Sequence, residues 1–242
     1  MQRATVLLLL LGTLGCAAGN RAVYTPTGAP LDYAGQGPVA VGVKDSRPEV
    51  VSGDRKETYI GFQRSLYGIP FAVQTKSGKP FAQDLAAMIV SGLRAKGVQA
   101  QSVPLSPFES REETLAALQA SSAPRLLLFD ITEWYADTYV VPTLHYDLTL
   151  TVLDGQGREL GKSAAIGEDD IGGKQRPQRR TIPAATLDII QELLSDRAVV
   201  AALSADARPR GIGAQRCTVD QILKMRESGL SEEQIKAACG EG

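Results

Sequence analysis

The sequence lacks a strong net charge and has few aromatic residues. Of its 242 residues, 26 are basic and 27 are acidic, and Phe, Tyr and Trp together make up 5%. Proteins that bind duplex nucleic acid usually carry clustered basic residues, and proteins that bind single strands present rows of aromatic side chains. Neither pattern occurs here, so nucleic acid is not an expected partner.

The sequence has a single histidine and no catalytic motif around it. His145 lies two residues before Asp147, and the two together would supply part of a hydrolase triad. No serine lies in a G-x-S-x-G elbow that would complete such a triad. We therefore interpret His145 and Asp147 as polar residues on the solvent face of a strand, and we expect no enzymatic activity.

Metal and cofactor sites are also not expected. Glu168, Asp169 and Asp170 are consecutive, whereas a calcium loop alternates its acidic ligands with other residues. Cys217 and Cys239 have no further cysteine or histidine nearby that would complete a zinc site, and they do not form a C-x-x-C redox motif.

The one long apolar run lies at the N-terminus. Arg3 precedes an apolar segment at residues 4–11, which is followed by small residues and Cys16. This layout is typical of a secretory signal peptide, and a core of eight residues is too short to cross a bilayer, which takes about 20. We predict a signal peptide over residues 1–15.

The residues around Cys16 resemble the lipobox of bacterial lipoproteins. Leu14, Gly15 and Cys16 fit that pattern, while Thr13 stands where a leucine is usual. The resemblance implies acyl chains such as palmitate on Cys16, and Ala17 in place of aspartate implies transport to the outer membrane, on its periplasmic side. Two or three acyl chains anchor a protein firmly, because each buried methylene contributes about 0.8 kcal/mol.

Residues 16–37 are rich in Gly, Pro and Ala, and we expect a lipidated N-terminus followed by a flexible tether. Alternatively, Tyr24, Leu31 and Tyr33 dock on the folded domain.

Apolar patterns predict the strands of a domain over residues 38–206. A first strand carries Val39, Val41 and Val43, a short strand lies at residues 98–103, and a buried strand contains the apolar residues of 126–131. The turn DGQG closes a hairpin whose first arm is apolar at every second position, at Leu144, Tyr146, Leu148, Leu150 and Val152. One face of this hairpin should be buried and the other wet. Residues 49–79 should hold a further hairpin or an ordered loop.

Three helices are predicted in the same domain. Residues 81–96 have apolar side chains at helical spacing and are followed by Gly97 as a C-terminal cap. Ser110 and Glu113 form a capping box that opens a second helix, and residues 184–203 make the third.

The order of these elements predicts an α/β or α+β domain, with helices packed on one face of a mixed sheet. The lipobox, the strand ending in DSRP and the sheet segment DGQGRELG resemble the YajG-like group of bacterial lipoproteins. The fold of that group is similar to the N-terminal domain of TolB and to the lipoproteins that activate penicillin-binding proteins. The resemblance implies a membrane-anchored, periplasmic, non-enzymatic role without catalytic residues.

Residues 207–216 are interpreted as a linker and residues 217–242 as a small helical hairpin. Thr218 and Ser231 each open a capping box. Cys217 precedes the first helix and Cys239 ends the second, so an antiparallel hairpin brings them together. Because the signal peptide directs the chain to an oxidising compartment, we predict a Cys217–Cys239 disulfide, worth about 3 kcal/mol in the chain-entropy model.

A basic run between the hairpin and the third helix of the domain is a candidate contact for anionic lipid. It comprises Lys174, Arg176, Arg179 and Arg180. Such side chains attract lipid phosphates, although they also occur in mobile polar loops.

Two functional hypotheses follow. The first is a lipid-anchored adaptor or auxiliary protein that binds a periplasmic protein or an envelope polymer through its sheet face or its C-terminal hairpin. The second is a lipid-handling or transport-assisting lipoprotein with an apolar cleft. A deep apolar pocket would favour the second, and a filled core with a flat exposed patch would favour the first.

Overall fold

A computed structural model describes residues 21–22, 29–139, 141–171, 182–205 and 224–228. The chain divides into two compact units, Met1–Ala205 and Asp206–Gly242. The first unit contains the sheet and the helices. In the second unit, the described residues include a helical turn at residues 224–227, within the first helix predicted for the C-terminal hairpin.

The first unit is built on one mixed sheet of eight strands, which confirms the predicted class. Its strands are β1 Arg21–Ala22, β2 Val39–Asp45, β3 Tyr59–Arg64, β4 Pro70–Thr75, β5 Ala100–Val103, β6 Arg125–Thr138, β7 Pro142–Asp154 and β8 Glu159–Asp170.

The long strand β6 organises the sheet. One of its edges pairs in parallel with β2 along its first half and with β3 near its end. Its other edge pairs with β7, which pairs with β8, both in antiparallel fashion. β5 lies outside β2, and β3 and β4 form the antiparallel hairpin that was one of the two possibilities for residues 49–79.

Five helices accompany the described sheet: α1 Pro48–Val51, α2 Phe81–Ala95, α3 Arg111–Gln119, α4 Ile182–Ser195 and α5 Arg197–Ser204. The helix predicted at residues 184–203 is therefore wrong as a single element. It is divided at Asp196, whose carboxylate accepts a hydrogen bond from the Ala198 N–H at 2.8 Å and caps α5. Aspartate favours such N-terminal caps over helix interiors. Within the described residues, the helices are too short or too polar to cross a bilayer.

The main core lies between one face of the sheet and helices α2, α4 and α5. The alternating residues of β7 point into it, and Leu144, Leu148, Leu150 and Val152 are fully buried. This confirms the predicted buried face of the hairpin, since side chains alternate between the two faces of a strand.

Helix α3 packs on the opposite face, so the prediction that all helices share one face is wrong for α3. Leu118 of α3 contacts a smaller apolar cluster that includes Ala40 and Leu126. The strand order explains this placement. After β2 the chain forms the β3–β4 hairpin, and α2 then leads to β5, the parallel neighbour on one side of β2. Helix α3 leads back past β2 to β6, the parallel neighbour on its other side, and right-handed connections in opposite directions place their helices on opposite faces.

The end of the segment predicted as a tether lies against the domain. Leu31 is 2% exposed, and its N–H donates to the Gly92 carbonyl of α2 at 3.1 Å. Gly92 makes this approach possible, because a Cβ there would lie 2.7 Å from the Leu31 side chain.

Candidate functional site

The predicted site residues lie outside the described part of the chain. These residues are Cys16, Cys217, Cys239, Lys174, Arg176, Arg179 and Arg180. The candidate site is therefore built from other residues, on the part of the second sheet face that α3 leaves uncovered.

His145 and Asp147 lie on this uncovered face, as the sequence predicts. His145 pairs across the strands with Tyr135 on one side and with Glu168 on the other. Its ring stacks on Tyr135 at a centroid distance of 4.4 Å, and its Nδ1 lies 3.6 Å from the Glu168 carboxylate. The neighbours of His145 are thus residues of adjacent strands.

Four rings form a continuous aromatic row across β3, β6 and β7. The row comprises Tyr59, Phe62, Tyr135 and His145. Tyr59 and Phe62 meet edge to face at 5.5 Å, and Phe62 and Tyr135 do so at 6.0 Å. Such ring pairs contribute about 0.5–1.5 kcal/mol each beyond the area they bury, so the row holds itself in place before any partner binds.

Two arginines flank the aromatic row. The Arg55 guanidinium lies 4.9 Å from the centre of the Tyr59 ring and 5.6 Å from that of Phe62, which are cation–π distances. Arg64 donates from Nε to Asp137 at 2.8 Å and from Nη2 to the second oxygen at 2.5 Å. These residues border a shallow groove of about 430 Å³.

Carboxylates dominate the charge around the row. The carboxylates on the same face of β6, β7 and β8 as the row are Glu133, Asp137, Asp147, Glu168 and Asp170. Burial raises the pKa of Tyr135, and the charges of Glu133 and Glu168 raise it further. Arg64 holds the pKa of Asp137 below its usual value through their hydrogen bonds. At neutral pH the face therefore carries the protonated Tyr135 hydroxyl and the ionised Asp137 carboxylate.

The Tyr59 hydroxyl titrates far above neutral pH. Burial raises its pKa to about 12, and the nearby Arg55 charge only partly opposes this. Tyr59 thus remains a neutral ring at which Arg55 is held.

A buried ion pair beneath the row fixes the strands that carry it. Arg47 donates to both oxygens of Asp45 at 2.7 Å. Its remaining nitrogen donates to the backbone carbonyls of Tyr59 at 2.8 Å and Trp134 at 3.0 Å. The DSR motif therefore has a structural role, since Arg47 links the end of β2 to β3 and β6 immediately behind Tyr59 and Tyr135.

The described residues contain no group of three or more His, Cys, Asp or Glu residues placed to hold a metal ion. A second groove, of about 740 Å³, is open to solvent. Polar residues such as Asp32, Lys96 and Ser195 line it beside Tyr33 and Leu194, and Asp32 pairs with Lys96 at 2.7 Å. The groove is therefore an open surface of mixed polar and apolar lining and not an enclosed cleft for acyl chains.

Sequence reasoning missed Phe62, Tyr135, Arg55 and Arg64. A local signal was present in β6, where Glu133, Tyr135 and Asp137 alternate with the buried Trp134 and Ala136. That alternation indicates that one face of β6 is exposed to solvent near the end of the strand. The partners on β3, however, are brought to Tyr135 only by the parallel pairing of β3 with β6.

Comparisons with known proteins identify similar structures but assign no family to this chain. No family model and no curated protein matches the sequence. The protein XCC0632 from Xanthomonas campestris is 12% identical over 74% of this chain and 91% of its own, with a TM-score of 0.39.

A PelC dodecamer from Paraburkholderia phytofirmans is also 12% identical, over 74% of this chain and 94% of its own, with a TM-score of 0.39. Lipoprotein GNA1162 from Neisseria meningitidis is 12% identical over 65% of this chain and 94% of its own, with a TM-score of 0.28. The neighbours thus include a bacterial lipoprotein, and the resemblance to the YajG-like group stays a prediction.

Proposed function

We propose that this protein is a lipid-anchored, non-enzymatic accessory protein of the bacterial cell envelope, which binds a basic segment of a periplasmic protein on its uncovered sheet face. The observation that carries the proposal is the aromatic row with its flanking arginines and carboxylates. The anchor at Cys16, on the periplasmic side of the outer membrane, comes from the lipobox-like residues.

The composition of the face supports a protein-binding role. Tyrosine and arginine are enriched at the energetically dominant positions of protein interfaces. Here Tyr135 is held between Phe62 and His145, and Arg64 is held by Asp137. Because these side chains are already ordered, binding costs them less conformational entropy than it costs free surface residues.

The charges of the face indicate a basic partner. Glu168 is exposed opposite His145, at the end of the row, and Glu133 is exposed two residues before Tyr135, opposite Asp147. Lysine or arginine side chains of a partner would find opposite charges there, while an acidic partner would be repelled. A neutral envelope polymer would gain no charge attraction from these carboxylates.

The filled core supports the adaptor over the lipid-handling alternative. Trp134, Phe81 and Phe129 have no exposed surface, and they occupy the space between the sheet and α2. On the opposite face, Phe62, Tyr135 and His145 of the aromatic row are partly exposed, beside the buried Tyr59. Such a surface suits a protein segment better than an acyl chain, which needs an enclosed apolar pocket.

Site-specific crosslinking in intact cells tests this function. A photoreactive amino acid at Glu168, which is 67% exposed, should crosslink to a specific protein. The same group at Phe108, which is 66% exposed before α3, is the matched control and should not capture that protein.

The crosslink should depend on the chemistry of the face. Tyr135→Ala should weaken it about tenfold or more, as for a central aromatic residue of an interface. Glu133→Lys should weaken it by charge repulsion. Equal crosslinking from Glu168 and Phe108, or a crosslink that both substitutions leave unchanged, would exclude the uncovered face as the binding site.

A further inference from the structure

The β3–β4 hairpin ends in a cluster of exposed apolar side chains. This apolar tip comprises Leu66, Tyr67, Ile69 and Phe71, together with Tyr139 from the turn after β6. Their exposed fractions are 87%, 89%, 56%, 52% and 54%, respectively. The Tyr139 hydroxyl donates to the Leu66 carbonyl at 3.3 Å and joins the two turns. A contiguous apolar patch of this kind on a water-soluble surface usually marks an interaction site.

The tip is ordered and free of charge. From Ser65 to Thr75 the sequence contains no acidic or basic residue. The Ser65 N–H donates to the Ile69 carbonyl at 2.8 Å, and Gly68, at φ +79°, closes the turn. Directly before the turn, Arg64 is already paired with Asp137. The turn therefore holds its apolar side chains outward, with no charge to resist their removal from water.

The direction of β1 relates the tip to the predicted lipid anchor. Arg21 pairs with Gln74 and Ala22 with Thr75, and the pairing is parallel. Since β4 runs away from the tip, Arg21 is the end of β1 that lies nearer the tip.

The distance that the chain can span from Cys16 to β1 is sufficient to reach from β1 to the tip. Cys16 precedes Arg21 by five residues, which span at most about 18 Å. Gln74, the partner of Arg21, follows Pro70 at the tip by four residues, or about 13 Å along the strand. A lipid on Cys16 can thus reach the level of the tip on the same side of the domain.

We propose that the apolar tip inserts into the interfacial layer of the lipid bilayer to which Cys16 is anchored. This inference rests on the lipid anchor proposed above and names a phospholipid bilayer as the occupant. Leucine, isoleucine and phenylalanine side chains partition into the acyl boundary, and tyrosine prefers the headgroup level. The acyl chains hold the protein at the membrane, and the tip fixes how the domain stands on it.

Fluorescence quenching by brominated lipids tests the contact. The chain isolated from membranes is reconstituted in vesicles of phosphatidylethanolamine and phosphatidylglycerol, with bromine near the headgroup end of the acyl chains. Tyr67→Trp places a reporter at the tip, and Phe108→Trp is the control, while the native Trp134 is fully buried and gives a constant background. The reporter at position 67 should shift to shorter wavelength and lose most of its emission, and the reporter at position 108 should keep it.

A second substitution makes the test specific. Leu66→Asp in the Tyr67→Trp chain should abolish the quenching, and because Leu66 is 87% exposed the domain should still fold. Equal emission from positions 67 and 108 in brominated vesicles would overturn the proposal. The proposal would also be overturned if the tip were not quenched and instead self-associated or crosslinked to a protein, and if Leu66→Asp abolished that contact. The mass of Cys16 tests the anchor separately: an unacylated Cys16 would refute the anchor, and an acylated chain with an unquenched tip would refute only this inference.

Discussion

Replacing Arg47 with leucine should remove a large part of the protein's stability, because it leaves the Asp45 carboxylate buried without a partner. Arg47 is fully buried and Asp45 is 2% exposed. Removing one member of a buried ion pair costs about 3–5 kcal/mol, and each buried carbonyl left without its donor adds about 1–3 kcal/mol. Since a domain has about 5–15 kcal/mol of stability in total, the melting temperature should fall by about 10 °C or more.

The free energy of unfolding in urea, followed by Trp134 emission, measures this loss. Trp134 is the single tryptophan and packs on Phe81 at a ring distance of 5.3 Å, so its emission reports on the core. Arg64→Leu is the matched control, since it breaks a similar arginine–aspartate pair that water can reach, and its loss should be markedly smaller.

A double variant distinguishes the cost of burying an unpaired Asp45 carboxylate from the cost of losing the Arg47–Asp45 contact. Asp45→Leu combined with Arg47→Leu should be more stable than Arg47→Leu alone, because no unpaired carboxylate remains. The reasoning would be refuted by equal losses for Arg47→Leu and Arg64→Leu, or by a loss below about 1 kcal/mol for Arg47→Leu.

Two further predictions concern the strands that carry the aromatic row. Gly61→Ala should lower the free energy of unfolding more than Gly78→Ala. Gly61 has φ +141°, and a Cβ there would lie 2.1 Å from the Ala136 carbonyl oxygen. Gly78 has φ +73°, but a Cβ there would have no other atom within 4 Å. Equal losses in urea would contradict this, and Gly78→Ala should cost about 1–2 kcal/mol. The pKa of Asp137 is lower in the folded chain than its value of about 3.9 in the unfolded chain. Its pairing with Arg64 therefore stabilises the fold fully above about pH 3.9, and this stabilisation is lost as the pH falls through the lower folded pKa. Urea midpoints measured from pH 5 downward should therefore converge between the native chain and Asp137→Asn, and a constant difference would argue against this linkage.

Much of the local structure could be predicted from the sequence. The capping box of Ser110 and Glu113 is formed in both directions, at 3.2 Å and 2.7 Å. Helix α2 ends at Ala95 with Gly97 beyond it at φ +81°. These features depend on neighbouring residues alone, so their signals lie within a few positions of one another.

The candidate site could be predicted only in part. The alternation around His145 placed it on a wet strand face, and the structure agrees. Its stacking on Tyr135 required the register between β6 and β7, and the contact of Tyr135 with Phe62 required the pairing of β3 with β6, 73 residues apart along the chain. Side-chain patterns do not specify which strands become neighbours, because many pairings would bury the same apolar face.

By itself, the sequence determined an α/β domain with a mixed strand set, the buried face of β7, the boundaries of α2 and the start of α3, since these follow from local periodicity and capping. The tertiary structure alone decided that α3 lies on the face opposite α2, that Leu31 packs on Gly92, and that Arg47 joins three strands behind the aromatic row. The reason is the strand order. Placing β2 between β5 and β6 reverses the direction of successive connections, which sends the helices to opposite faces and leaves the far part of one face uncovered.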